Sequence, residues 1–154
     1  MELGLKDKCA LVLASSSGLG KAFAKELAVE GAKCMLFSPF EEELKNAKQE
    51  IIEDTKNDNI DYFCGDLTKP EDIKALVKTT CEKFGPIFAL FNNAGGPPAG
   101  PLNSFYDEAW YTDFDLTLLS YQRVVRDVAP LMMENGGGRI VNSTSSSINA
   151  VHDT

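Results

Sequence analysis

Four short clusters in this chain have residue types and spacing suited to chemistry. The first is Ser15-Ser16-Ser17-Gly18-Leu19-Gly20, mostly small residues between an apolar run and an amphipathic one. Small side chains let a backbone approach a bulky ligand. The unpaired N–H groups at a helix start also carry the positive end of the helix dipole, so the natural guest is a phosphate. A P-loop is excluded, because Gly20-Lys21 is followed by Ala22 where that motif needs Ser or Thr. A plain strand-to-helix turn without a ligand is the alternative. The other clusters are Asp66-Leu67, Asn92-Asn93-Ala94-Gly95 and Ser143-Thr144-Ser145-Ser146-Ser147, each just after an apolar run. His152, the only histidine, reads as an exposed loop residue and not as a catalytic base.

These clusters need elements to position them, and the pattern supplies an alternation of strands and helices. Cys9 to Ala14 is a nearly unbroken apolar run of strand length, as expected for a strand buried on both faces of a parallel sheet. Ala24, Leu27, Ala28 and Gly31 recur on one face of a helix over residues 20–31, and Lys33 to Phe37 returns to strand. Glu41 to Glu53 reads as an exposed helix with Leu44, Ala47 and Ile51 inward, and Asn59 to Cys64 as a third strand. Thr68-x-x-Glu71 predicts a capping box opening the next helix, which Gly85-Pro86 stops. Ile87 to Phe91 is a fourth buried strand, and a Gly/Pro loop follows from Gly96 to Pro101. One long helix is then predicted from Ser104 to Glu134, with Trp110, Phe114, Leu118, Tyr121 and Val125 as an apolar stripe suited to core or subunit contact. Pro130 kinks its last turn. Arg139 to Asn142 is a fifth strand. The fold class is α/β: a doubly wound parallel sheet, Rossmann-like, with helices on both faces and incomplete at its C-terminal edge.

Length and composition bound the function. The 154 residues suffice for a single domain, taken as 1–154. A net charge of −8 without a Lys/Arg cluster argues against nucleic acid and anionic membrane as partners. No apolar run approaches membrane-spanning length. Cys9, Cys34, Cys64 and Cys81 lack C-x-x-C spacing, and three of them fall in strand-like runs. Reduced core thiols in a cytoplasmic protein are expected, and no metal site.

In order, the glycine-rich turn, Asp66-Leu67, Asn92-Asn93-Ala94-Gly95 and Arg139-Ile140-Val141-Asn142 before the Ser/Thr cluster resemble the short-chain dehydrogenase/reductase family over nearly the whole chain. The resemblance implies a domain that binds NAD or NADP and transfers hydride between it and a carbonyl or alcohol substrate. At the matching positions, Ser15, Ser17, Gly18, Leu19 and Gly20 would cradle the pyrophosphate. Asp66 and Leu67 would border the adenine, and Asn92, Ala94 and Gly95 the adenosine-side ribose. Ser145 matches the catalytic serine, and Thr117 stands where the family carries a catalytic Asn. A homo-oligomer, dimer or tetramer, is expected.

Departures from the family pattern shape the remaining expectations. Leu13-Ala14 replaces the family's Thr-Gly at the start of the turn. An NAD site places an acidic residue about 20 residues past the glycines and an NADP site an Arg nearby. Ser38-Pro39-Phe40 stands there uncharged. The reading is NADP or NAD, with a slight lean to NADP and with Lys21 as a nearby positive charge. The family's general acid/base is a Tyr followed four residues later by a Lys, but Tyr62, Tyr106, Tyr111 and Tyr121 are followed by Asp66, Trp110, Asp115 and Val125. The 154 residues are therefore expected to be the N-terminal part of a longer fold and inactive by themselves. The rival is a catalytically inactive dinucleotide-binding protein, acting as sensor or scaffold.

Overall fold

The fold was analysed in a computed structural model of the chain, which describes residues 3–96 and 100–145. Five strands, β1 (Cys9–Val12), β2 (Lys33–Ser38), β3 (Ile60–Cys64), β4 (Ile87–Asn92) and β5 (Arg139–Asn142), form one all-parallel sheet in the order β3-β2-β1-β4-β5. All four residues of β1 and the last five of β2 are buried, so these strands carry apolar residues on both faces. Between them run α1 (Gly18–Val29), α2 (Glu41–Thr55) and α3 (Pro70–Phe84).

The alternation of side chains along the strands makes two cores, one on each face. Leu11, Leu13, Met35, Phe37 and Leu90 pack with Ile73, Leu76 and Val77 of α3, and with Val124, Val128 and Met132 from the helical stretch before β5. Ala10, Val12, Cys34, Leu36 and Phe91 face the other way, onto Ala24, Leu27 and Ala28 of α1 and Leu44, Ala47 and Ile51 of α2. Phe23 of α1 stacks on Phe91 with ring centroids 4.1 Å apart. The doubly wound α/β architecture expected from the pattern is present.

Three local expectations are corrected. The Thr68–Glu71 capping box does not form, because α3 opens at Pro70, with Lys69 at its cap position. Proline at the first helical position needs no N–H partner. Thr68 instead gives both its N–H and its hydroxyl to Asp66 Oδ1, at 2.9 and 2.8 Å.

The long helix is composite: a 3-10 turn at Leu102–Ser104, α4 (Asp107–Phe114), a π turn at Asp115–Leu119 and α5 (Ser120–Glu134). A π turn inserts a residue into the helical repeat and rotates every later side chain around the axis. The buried residues of α5 are accordingly Ser120, Val124, Val128 and Met132, while Tyr121 and Val125 are half-buried. Trp110, Phe114 and Leu118 are more than half exposed. The predicted stripe is thus not a core face.

The thiols divide as well. All four cysteines are free, but only Cys9 and Cys34 are buried, Cys81 is half-buried and Cys64 is exposed. Burial pushes the Cys9 and Cys34 thiols up to about 12, so both stay protonated at neutral pH.

Candidate functional site

Two clefts open along the carboxyl ends of the strands, where doubly wound sheets bind ligands. One, of about 490 Å³, is walled by Ala14, Ser16, Ser17 and Leu19 of the first turn. Ser38, Pro39 and Phe40 after β2, Asp66 and Leu67 after β3, and Asn93, Ala94 and Gly95 after β4 complete it. The other, of about 750 Å³, shares those last three residues. It continues over Asp113, Thr117, Tyr121 and Asn142 to Ser145. The segment 93–95 is the ridge between the two clefts.

The first turn is shaped by its backbone. Gly18 has φ +53°, in the left-handed region, and among the described residues beyond its own helix turn and chain neighbours no atom lies within 4 Å of where its Cβ would be. Gly20 is the reverse case: a Cβ there would stand 2.2 Å from the Ala14 carbonyl oxygen. Gly18 thus keeps open the space in front of the helix start, and Gly20 lets the helix close onto β1. Ala14 itself is left-handed at φ +46°. Alanine does keep the turn where the family has glycine, but under backbone strain. The open face of Gly18 and the close-packed Gly20 are what a pyrophosphate cradle needs, so the residues present fit the dinucleotide that the resemblance implies.

Several residues named from sequence do something different. The Ser15 hydroxyl donates to the Val12 carbonyl at 2.8 Å and accepts from the Phe37 N–H at 2.9 Å, while the Ser15 N–H donates to the Phe37 carbonyl at 3.0 Å. Fully buried, Ser15 fastens the end of β1 to β2 and is withdrawn from the cradle. Lys21 points away from the cleft into an ion pair with Glu50 of α2 and is no source of charge for a phosphate there. Asn92 is also buried: its amide donates to Asn142 Oδ1 at 2.8 Å, tying β4 to β5, and its own Oδ1 has no partner among the described residues. Its neighbour Asn93, in the same tetrapeptide but absent from the sequence-derived set, lines both clefts.

Asp66 sits at the rim of the first cleft. The backbone N–H of Thr68, helped by its hydroxyl and set against partial burial, holds the Asp66 carboxyl below the ordinary carboxylate range. The Asp66 N–H donates to Asp72 Oδ2 at 2.9 Å, so the β3–α3 turn is doubly fixed. Leu67 is buried and supplies an apolar wall beside it.

In the second cleft, Thr117 lies on the π turn and its hydroxyl donates to the Asp113 carbonyl at 2.7 Å, leaving the oxygen as an acceptor. Ser145 lies exposed on the wall contributed by β5. Tyr121 also lines this cleft. Burial raises its phenol above the ordinary value, against an opposing backbone hydrogen bond from Ala94. A phenol so placed stays protonated near neutral pH and cannot act as a base there. Ser146, Ser147, His152 and part of the Gly96–Pro101 loop lie outside the described residues.

Residues 8–151 match the short chain dehydrogenase family. The chain belongs to that family. It is 35% identical to a putative ketoacyl reductase of Streptomyces coelicolor over 91% of this chain and 54% of the relative. L-sorbose reductase of Gluconobacter frateurii, solved with NADPH and L-sorbose, superposes with a TM-score of 0.91 at 29% identity, covering 98% of this chain and 57% of that one. A 7α-hydroxysteroid dehydrogenase solved with NADH and a 7-oxo bile acid superposes with a TM-score of 0.89 at 26% identity, covering 96% and 57%. The chain thus spans little more than half the length of these relatives. Within that span the sheet order β3-β2-β1-β4-β5 is that of a doubly wound dinucleotide fold.

Proposed function

We propose that this chain is the dinucleotide-binding part of an NAD(P)-dependent oxidoreductase acting on a small carbonyl or alcohol substrate. The observation that carries the reading is the open, left-handed Gly18 at the start of α1, flanked in sequence by Ser17 and Leu19, which both line the first cleft. When bound, the cofactor supplies or accepts the hydride. The chain's own residues bind and orient. Ser17, Gly18, Leu19 and Gly20 present backbone toward the pyrophosphate; Asp66 and Leu67 border the adenine; Asn93, Ala94 and Gly95 separate the adenosine end from the reacting end. Ser145 donates a hydrogen bond to the substrate oxygen and steadies its developing charge. Thr117 offers an acceptor to a water or substrate hydroxyl. The preferred cofactor leans slightly to NADP, since Ser38 does not repel a 2′-phosphate as a carboxylate in its place would.

The proton that accompanies hydride transfer needs a donor, and none of the four Tyr is followed four residues on by a Lys. We therefore infer that residues 1–154 bind cofactor without turning over substrate, and that a longer chain supplies the acid/base pair. The share of the relatives that the chain spans supports this. The exposed Trp110, Tyr111, Phe114 and Leu118 of α4 and the π turn suit a subunit contact in a homodimer or homotetramer. Among the described residues no helix is long and apolar enough to cross a membrane; a cytoplasmic location accords with the unpaired cysteines.

Calorimetric titration with NADPH and NADH tests the reading. One site is expected in the parent, and Gly18→Val, which puts a branched side chain at a left-handed position in the cradle, is expected to abolish it. Equal affinity in parent and variant overturns the assignment. In a chain that turns over a ketone, Ser145→Ala is expected to lower kcat roughly 100-fold; full retention of kcat removes Ser145 from the chemistry.

A further inference from the structure

A directed chain of hydrogen bonds runs behind the adenosine-side wall of the first cleft. The Phe40 N–H donates to Ser38 Oγ at 3.2 Å, Ser38 Oγ donates to Ser16 Oγ at 3.0 Å, and Ser16 Oγ donates to Glu43 Oε2 at 3.1 Å. A carboxylate can only accept, so Glu43 fixes the direction of the whole chain. Ser16 and Ser38 are almost fully buried, and both line the cleft. Glu43, on the first turn of α2, is solvent-exposed and reaches Ser16 through that one bond.

The charges around Glu43 are unequal. Glu41 and Glu42 share Lys45, at 3.4 and 2.6 Å. Lys21 is committed to Glu50 and Lys48 to Asp61. Among the described residues no cation pairs with Glu43, whose only hydrogen-bond donor is Ser16. An uncompensated negative charge is thereby attached, through one hydroxyl, to the wall that the adenosine ribose would meet.

We propose that Glu43 sets the choice between the two nicotinamide dinucleotides: it opposes a 2′-phosphate on the adenosine ribose and leaves a 2′-hydroxyl unopposed. The proposal rests on the reading of this cleft as the adenosine site. The acid absent from the end of β2 has a counterpart on α2, joined to Ser38 through the Ser16 hydroxyl. Like-charge repulsion across such a wall is partly screened by solvent and acts on the phosphate alone.

The test is a pair of dissociation constants, for NADPH and NADH, measured on the parent, Glu43→Gln and Glu43→Lys by the change in reduced-nicotinamide fluorescence. Gln keeps an acceptor for Ser16 and removes the charge. NADPH is expected to bind roughly fivefold tighter to Glu43→Gln and tighter still to Glu43→Lys, with the gain shrinking at high salt and NADH staying within about twofold. If both variants bind with the parent's NADPH-to-NADH ratio, the inference fails and the dinucleotide reading stands. Parallel losses of both ligands assign the Glu43–Ser16 bond a purely structural role and also overturn it. A parent that binds neither ligand overturns both the inference and the reading beneath it.

Discussion

The two edges of the sheet are built differently. At one edge, β3 buries Ile60 and half-buries the next three residues, and its Asp61 is braced from both sides of the sheet. Lys48 of α2 reaches Asp61 at 2.9 Å, and Lys83 of α3 pairs with the other carboxylate oxygen. A charged residue held by two helices also blunts an open edge against pairing with another chain. At the other edge all four residues of β5 are exposed, including Ile140 and Val141, and among the described residues β5 pairs with β4 alone. The helical segment preceding α5 is equally bare, since α4 has no buried residue. The contrast maps onto the clefts. The first cleft, with Ser38 and Asp66, stands on the braced half of the sheet, and the cleft with Thr117 and Ser145 on the bare half.

Deleting side-chain bulk at the two edges is the most direct way to break this comparison. Ile60→Ala is expected to cost about 3 kcal/mol through lost burial and a residual cavity, whereas Val141→Ala, already 45% exposed, is expected to cost less than about 1 kcal/mol. Urea unfolding measures both, and equal costs would erase the difference between the edges.

Asp61→Asn probes the bracing itself. Burial alone would raise the Asp61 carboxyl, but hydrogen bonds from Lys83, Lys48 and the Tyr62 N–H outweigh it and hold the group below its ordinary value. Because the folded value is depressed, the stabilisation is whole above about pH 4 and is lost as pH falls through the folded value. Replacement is expected to cost about 1 kcal/mol at pH 7, for a pair that is only partly buried, and progressively less as pH falls through the depressed folded value. A cost independent of pH would mean that packing, and not charge, secures this edge.

The smallest effect is expected in the turn that joins the braced half to its cleft. Ala14 holds φ +46°, a conformation glycine adopts freely, so Ala14→Gly relieves strain while loosening the unfolded chain. A net gain of about 0.5 kcal/mol is expected, raising Tm by roughly 1–2 °C. A fall in Tm would show that this turn tolerates alanine without strain.

Much of the braced half was legible in the sequence, and the bare half much less so. Runs such as Cys9–Val12 and Lys33–Ser38 announce buried parallel strands because burial on both faces demands unbroken apolar character. The helix faces of α1, α2 and α3 follow from a simple 3.6-residue repeat. As a core face the Trp110–Val125 stripe fails: Trp110 and Phe114 lie on α4, which buries no residue, and the π turn at Asp115–Leu119 shifts the repeat before Tyr121 and Val125. No local residue signal marks the interruption. Ser15 and Lys21 misled for another reason: a hydroxyl or an ammonium beside a phosphate-binding turn serves whichever partner the fold brings nearer. Here those partners are the Val12 and Phe37 backbone for one and Glu50 for the other.

By itself the sequence determined the order of the strands and helices, the family, and the position of each cluster at the carboxyl end of a strand. All of these depend on local pattern and on motifs that keep their meaning wherever the chain goes. Tertiary structure alone decided which members of each cluster face a cleft. Ser16 turns to the cleft while Ser15 turns inward, Asn93 lines both clefts while Asn92 bridges strands, and Glu43 bonds Ser16 from another helix. The physical reason is that a buried hydroxyl, amide or carboxylate must satisfy its hydrogen bonds, and the partners that do so here lie up to 50 residues away in the chain.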